Sequence, residues 1–104
     1  MTSRVYSVDE IRKMVIPIAE RYGVENVYLF GSYARGEATS ESDVDLRIDK
    51  GRLKGLLMLG AMYSDLEDCF DKNLDLLTTG SLDNDFLQRI SGEEILLYGG
   101  KCAR

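Results

Sequence analysis

The sequence predicts a two-layer α/β fold: a small mixed sheet covered by helices on one face. Three observations predict it. Helical and extended patterns alternate along the chain in the order α-β-(turn)-β-α-β-α. The link between the first two strands has about a dozen residues and no full helix, which favours antiparallel pairing there and a mixed sheet overall. At 104 residues, 44% hydrophobic and 30% charged, the chain reads as one domain, 1–104, with material for one core.

The elements follow in order. Ser7 with Glu10 three residues later fits a capping box. Val8, Ile11, Val15, Ile18 and Tyr22 then recur at spacings of three and four, and Gly23 suits the position just past the helix end. Pro17 lies inside this helix and is expected to kink or divide it, because its ring removes a donor and crowds the carbonyl of Lys13. Residues 26–30 are β-branched and aromatic and apolar on both faces, the pattern of a central strand. Residues 32–35, before Gly36, read as one helical turn, and 37–42 as loop. Residues 43–49 alternate cleanly, with Val44, Leu46 and Ile48 on one face and Asp43, Asp45, Arg47 and Asp49 on the other.

Leu53, Leu56, Leu59, Tyr63, Leu66 and Phe70 place a second helix over about 53–69. Gly55 and Gly60 weaken it by up to ~1 kcal/mol each and are expected to allow close packing onto the sheet. Residues 73–78 form a third strand with Asp75 in apolar company. A short helix over 83–90 carries Leu82, Phe86, Leu87 and Ile90 as its apolar residues; 94–98 is a short edge strand and 99–104 a frayed tail.

Net charge narrows the function. At −5, the chain lacks the broad basic surface that grips nucleic acid by neutralising phosphates. A nucleotide held through a metal ion stays open, because the ion inverts the local sign. There is no histidine, and Cys69 and Cys102 have no metal-ligand spacing, so zinc is not expected. No stretch resembles a signal peptide or approaches ~18 apolar residues, so a cytoplasmic protein with reduced thiols and no membrane contact is expected.

The aspartates are the anomaly. Asp43 and Asp45 project from one strand face, where like charges roughly 5–6 Å apart repel by about 1 kcal/mol even with water-like screening. A divalent cation removes that repulsion: Mg²⁺ takes one or two carboxylates plus phosphate oxygens. With Asp75 as a third carboxylate, two ions could be seated, the arrangement that clamps attacking and leaving oxygens in phosphoryl-type transfer. Gly31 lets backbone approach a ligand closely, and Ser32 at the start of a helical turn offers a hydroxyl and exposed N–H groups. Arg35, one turn on, could add a charge-assisted contact to phosphate. Each piece alone has a plainer reading: a turn, a solvated strand face, an exposed edge, packing for Tyr28, Tyr33 and Tyr63. Arg47 could simply pair with Asp45 or Asp49. The combination points to chemistry.

Gly31-Ser32, ten residues, then Asp43-Val44-Asp45 resembles the nucleotidyltransferase superfamily that includes DNA polymerase beta. The string LFGSYARGEATSESDVDL, with IAERYGV before it and NLDLLT after, is similar to the minimal nucleotidyltransferase (MNT) branch, over roughly residues 11–78. The resemblance implies that Gly31 and Ser32 hold a triphosphate and that Asp43 and Asp45 bind Mg²⁺. It implies that Asp75 binds the catalytic ion and helps deprotonate the acceptor, with Arg35 a phosphate contact or a structural residue. It further implies an antitoxin whose partner is a HEPN-domain ribonuclease toxin, and transfer of AMP from ATP to a toxin tyrosine. Arg47 departs from the aliphatic residue often found in that place; it could contact phosphate or compete with metal for Asp45.

Three functions fit. The first is the Mg²⁺-dependent protein-modifying transferase just described. The second is an antitoxin that neutralises its toxin by binding alone, with a weak nucleotide site. The third keeps the transfer but directs it to an RNA end, against which the acidic surface argues.

Overall fold

The computed structural model describes residues 5–70, 73–81 and 84–99. The elements are α1 (Val8–Tyr22), β1 (Asn26–Phe30), α2 (Ser32–Arg35), β2 (Val44–Asp49), α3 (Gly55–Cys69), β3 (Leu74–Thr78), a 3₁₀ turn (Thr79–Ser81), α4 (Asn84–Ser91) and β4 (Ile95–Tyr98).

α1 starts where its caps dictate. The Glu10 N–H donates to Ser7 Oγ at 3.1 Å, and the Ser7 N–H donates to Glu10 Oε1 at 2.9 Å. Gly23 ends the helix at φ 72°, its N–H donating to Ala19 O at 3.0 Å. Pro17 does not divide it: Pro17 and Lys13 both lie on the exposed side, so the carbonyl that loses its donor faces water.

The four strands lie in the order β3-β2-β1-β4. β1 pairs antiparallel with β2 and β4, and β2 pairs parallel with β3, so the sheet is mixed as expected. The parallel step requires a long crossover, and α3 supplies it. Val27, Leu29, Val44, Leu46 and Ile48 are fully buried beneath α1 and α3 and form the core with Ile11, Val15, Met62 and Leu66. Arg21 and the Tyr22 hydroxyl of α1 both meet Asp65 of α3, at 3.1 and 2.6 Å, and join the two covering helices.

α3 corrects two expectations. Leu56, read as an inward position, is 83% exposed, and Met62 takes the buried place. The helix begins at Gly55 rather than at about 53, so Leu53 packs from the preceding loop and the apolar face rotates away from Leu56. Gly60 allows no close packing onto the sheet: it and Gly55 are exposed, and a Cβ on either would meet nothing within 4 Å.

The opposite sheet face carries Tyr28, Phe30, Asp45, Arg47, Asp49 and Asp75. α4 reaches it at one end, where Phe86 meets Phe30 edge to face with centroids 6.0 Å apart. α4 and β4 lie within a residue of their expected bounds; Leu82, Asp83 and residues 100–104 fall outside the described residues. No described helix is long and apolar enough to cross a membrane.

Candidate active site

The register of the sheet assembles the acidic site. Phe30 lies opposite Asp45 in the antiparallel ladder, and Asp45 lies opposite Asp75 in the parallel one. β1 therefore delivers Gly31 to the sheet end at which β2 and β3 present their aspartates. Gly31 has φ 78° and ψ −154°, a backbone state essentially restricted to glycine. A Cβ there would run into Asp45 Oδ2 and sit 3.2 Å from the carboxyl carbon. Glycine is thus required twice, by its dihedrals and by the carboxylate against it.

Ser32 opens α2 directly after this contact, and the helix closes with the Arg35 N–H on Gly31 O at 3.1 Å. Gly36 stops it in the left-handed region, and the Glu37 N–H returns to Ser32 O at 2.9 Å. The loop to β2 is tightened by the Thr39 N–H on Ser42 Oγ at 2.8 Å and the Ser42 N–H on Thr39 O at 3.0 Å. That turn delivers Asp43, exposed, one residue before the strand.

Asp45 is half-buried, and its carboxyl is raised to about 7. Burial is the largest cause, followed by the hydrogen bond to Asp75, the charge of Asp75 and the charge of Asp43; Arg35 opposes them. Asp45 thus keeps its proton up to near neutral pH. Among the described residues no three acidic or thiol side chains converge as a ready metal cage. Asp45 and Asp75 are the converging pair, and the exposed Asp43 acts on Asp45 through its charge.

Both arginines are accounted for. Arg35 donates from Nε to Glu37 Oε1 at 3.0 Å and from Nη1 to Glu93 Oε1 at 3.1 Å. Arg47 turns away from Asp45: its Nε and Nη2 take both oxygens of Glu94, at 2.5 and 2.8 Å. Its Nη1 reaches Thr79 Oγ1, and its guanidinium lies 4.1 Å from the Tyr28 ring centroid. Arg47 meets Asp49, one of the two partners expected for it, only at 3.5 Å. A bidentate, nearly buried pair of this kind holds Arg47 on Glu94 rather than on Asp45.

Glu93 and Glu94 were not legible as site residues. Adjacent in sequence, they hold one arginine from each wall: Arg35 behind the Gly-Ser turn and Arg47 behind the aspartates. They lie 58 and 47 residues from those partners, and no local spacing signals such a pair. Tyr33 and Tyr63 pack as expected, Tyr33 in the core and Tyr63 with its hydroxyl donating to Leu74 O at 3.0 Å. A cleft of about 770 Å³ lies at the other end of the sheet, between Glu20, Gly51, Arg52 and Tyr98, away from the aspartates.

A glycine-serine turn pressed against paired carboxylates on neighbouring strands is an arrangement suited to a phosphate ester and its metal ions. The chain belongs to the polymerase beta nucleotidyltransferase family, whose model matches residues 13–101. It is 36% identical over 89 residues to a Methanocaldococcus jannaschii chain named putative protein adenylyltransferase, covering 86% of this chain and 96% of that one. It superposes with a TM-score of 0.74 on a chain of a toxin-antitoxin crystal structure with AMP-PNP, at 20% identity over 88% of this chain and 76% of the other. A third likeness is to a chain from a complex of a tri-AMPylated Shewanella oneidensis HEPN toxin with its MNT antitoxin. There the TM-score is 0.69 and the identity 17%, over 92% of this chain and 76% of the other.

Proposed function

We propose that this nucleotidyltransferase is an antitoxin that transfers AMP from ATP to a tyrosine hydroxyl of a partner HEPN toxin. The observation that carries the reading is the contact of Gly31 with Asp45, which lies opposite Asp75 in the parallel ladder. The name of the M. jannaschii relative, putative protein adenylyltransferase, and the AMPylated toxin of the S. oneidensis complex support the acceptor class.

The donor set suits Mg²⁺. It is all oxygen, and the Asp45 carboxyl retains a proton that a cation would replace. Asp43, Asp45 and Asp75 would hold the ions, which when bound supply charge neutralisation at the phosphates and at the leaving oxygen. Gly31 and Ser32 hold the triphosphate: Gly31 lets the backbone approach and Ser32 offers its hydroxyl and N–H. Asp75 takes the proton of the acceptor hydroxyl. The acceptor oxygen bonds to the α-phosphorus, the bond from that phosphorus to the bridging oxygen breaks, and pyrophosphate leaves. Arg35 is held by Glu37 and Glu93 through Nε and Nη1, and Nη2 is its donor for a phosphate contact.

Incubation with the toxin, Mg²⁺ and ATP labelled on the α-phosphate tests this. Label on the toxin, abolished by Asp43→Ala with Asp45→Ala, is the expected result. No label, or equal label with the double variant, overturns it. Neutralisation by binding alone rests on Arg47 and on the small size of the chain; the guanidinium tied to Glu94 removes the first of these, and a double variant that still neutralises the toxin would favour this second reading.

A further inference from the structure

α3 carries its charges against its own dipole. Lys54 is its N-cap residue, with Lys50 and Arg52 just before it. The first turn holds no acid and the last turn no base, while Asp65, Glu67 and Asp68 gather at the C-terminal end. Cations at a helix N-terminus and anions at its C-terminus are each unfavourable, by about 0.3–1 kcal/mol. Asp65 is engaged by Arg21 and Tyr22 of the same chain. Neither Lys54 nor Asp68 has an ion-pair partner among the described residues.

The outer surface of the same helix is unpartnered. Met62 and Leu66 face the core, and the opposite ridge is Leu57, Ala61, Ser64 and Asp68, at spacings of four, three and four. Leu57 is 86% exposed and Leu56 beside it 83%, far more than packing of the monomer explains. Gly60 and Ala61, both exposed, form the low centre of the surface.

We infer that this face binds a second copy of the chain, α3 against α3 in antiparallel, two-fold arrangement. An isologous contact must complement itself. Antiparallel packing brings Lys54, Arg52 and Lys50 of each copy to Glu67 and Asp68 of the other. The same step places anions at each N-terminus and cations at each C-terminus, which reverses the unfavourable dipole terms in both helices at once. The small centre lets the helix axes approach, and each exposed leucine covers the partner's small residues. The face lies behind the sheet, so both aspartate rows stay open. One helix pair is at the low end of specific interface sizes, so the dimer forms in a concentration-dependent equilibrium.

Sedimentation equilibrium of the full chain at low salt tests this. The expected result is a rise from one to two protomers between about 10 μM and about 1 mM, moved toward monomer by added salt. Leu57→Asp and Lys54→Glu each abolish the rise. Lys54→Glu aligns charge with the dipole, so its helix is no less stable and loss of the dimer cannot be put down to unfolding. Adding Asp68→Lys to Lys54→Glu restores the dimer, because Glu67 still faces Lys50 and Arg52. A protein that stays monomeric throughout overturns the inference. So does a dimer indifferent to these changes, or a monomer whose ridge variants instead lose binding to the toxin.

Discussion

Asp45 concentrates the chemistry at the residue scale. Its carboxyl is raised from 3.8 to about 7 by burial first and by Asp75 and Asp43 after that. In the metal-free protein the folded chain keeps this proton through a pH range in which the unfolded chain has lost it. The unfolded state then binds fewer protons, so Asp45 costs the fold progressively more stability as pH rises from about 4 to about 7. Asp45→Asn cannot ionise. In EDTA its stability relative to the wild type should climb across that window and level off above it, as read by urea denaturation; parallel curves would contradict the assignment. Gly31 makes the matching steric prediction. Gly31→Ala should lose roughly 1–3 kcal/mol for its backbone state alone, and it should weaken Mg-ATP binding because Asp45 must move. Asp43, Asp45 and Asp75 were legible in the sequence because strand alternation makes an acidic residue in an apolar strand conspicuous. The proton that Asp45 retains was not, since it depends on a register between β2 and β3 that only the fold supplies.

The elements themselves were largely written in local signals. Ser7, Glu10 and Gly23 bound α1, and β-branched and aromatic runs bound β1 and β2. α3 was read less well because leucines occupy both its faces, so periodicity alone could not say that Met62 faces inward and Leu56 outward. The join between elements was the least legible feature. β4 and β2 are separated by β1, yet Glu94 and Arg47 clasp across it with side chains only 8% and 11% exposed. Removing one member leaves the other charge buried. Glu94→Ala should cost about 3–5 kcal/mol in chemical denaturation. Arg47→Met with Glu94→Leu should recover most of that loss, which a simple loss of packing at position 94 would not allow.

At the scale of the molecule, the sheet order divides the labour. α1 and α3 cover one face and make the core, while the other presents the polar row with Asp45 and Asp75 at one end. In a chain of net charge −5, cations at Asp43, Asp45 and Asp75 would relieve the repulsion of a polyanion there, so nucleotide and metal should stabilise the fold together. Mg-ATP at a hundred times its Kd should raise unfolding free energy by about 2.7 kcal/mol. ATP in EDTA should do far less, and a thermal shift assay separates the two. Equal shifts with and without Mg²⁺ would mean that the aspartates do not hold the ion.

The central claim is that Gly31-Ser32 and the Asp45–Asp75 pair direct attack at the α-phosphorus. It is tested most directly by comparing two labels of ATP in a single turnover with the HEPN toxin. The account predicts that label at the α-phosphate enters the toxin while label at the γ-phosphate leaves as pyrophosphate, and that Asp75→Asn stops both. Label from the γ-phosphate on the toxin, or transfer unchanged by Asp75→Asn, would contradict it.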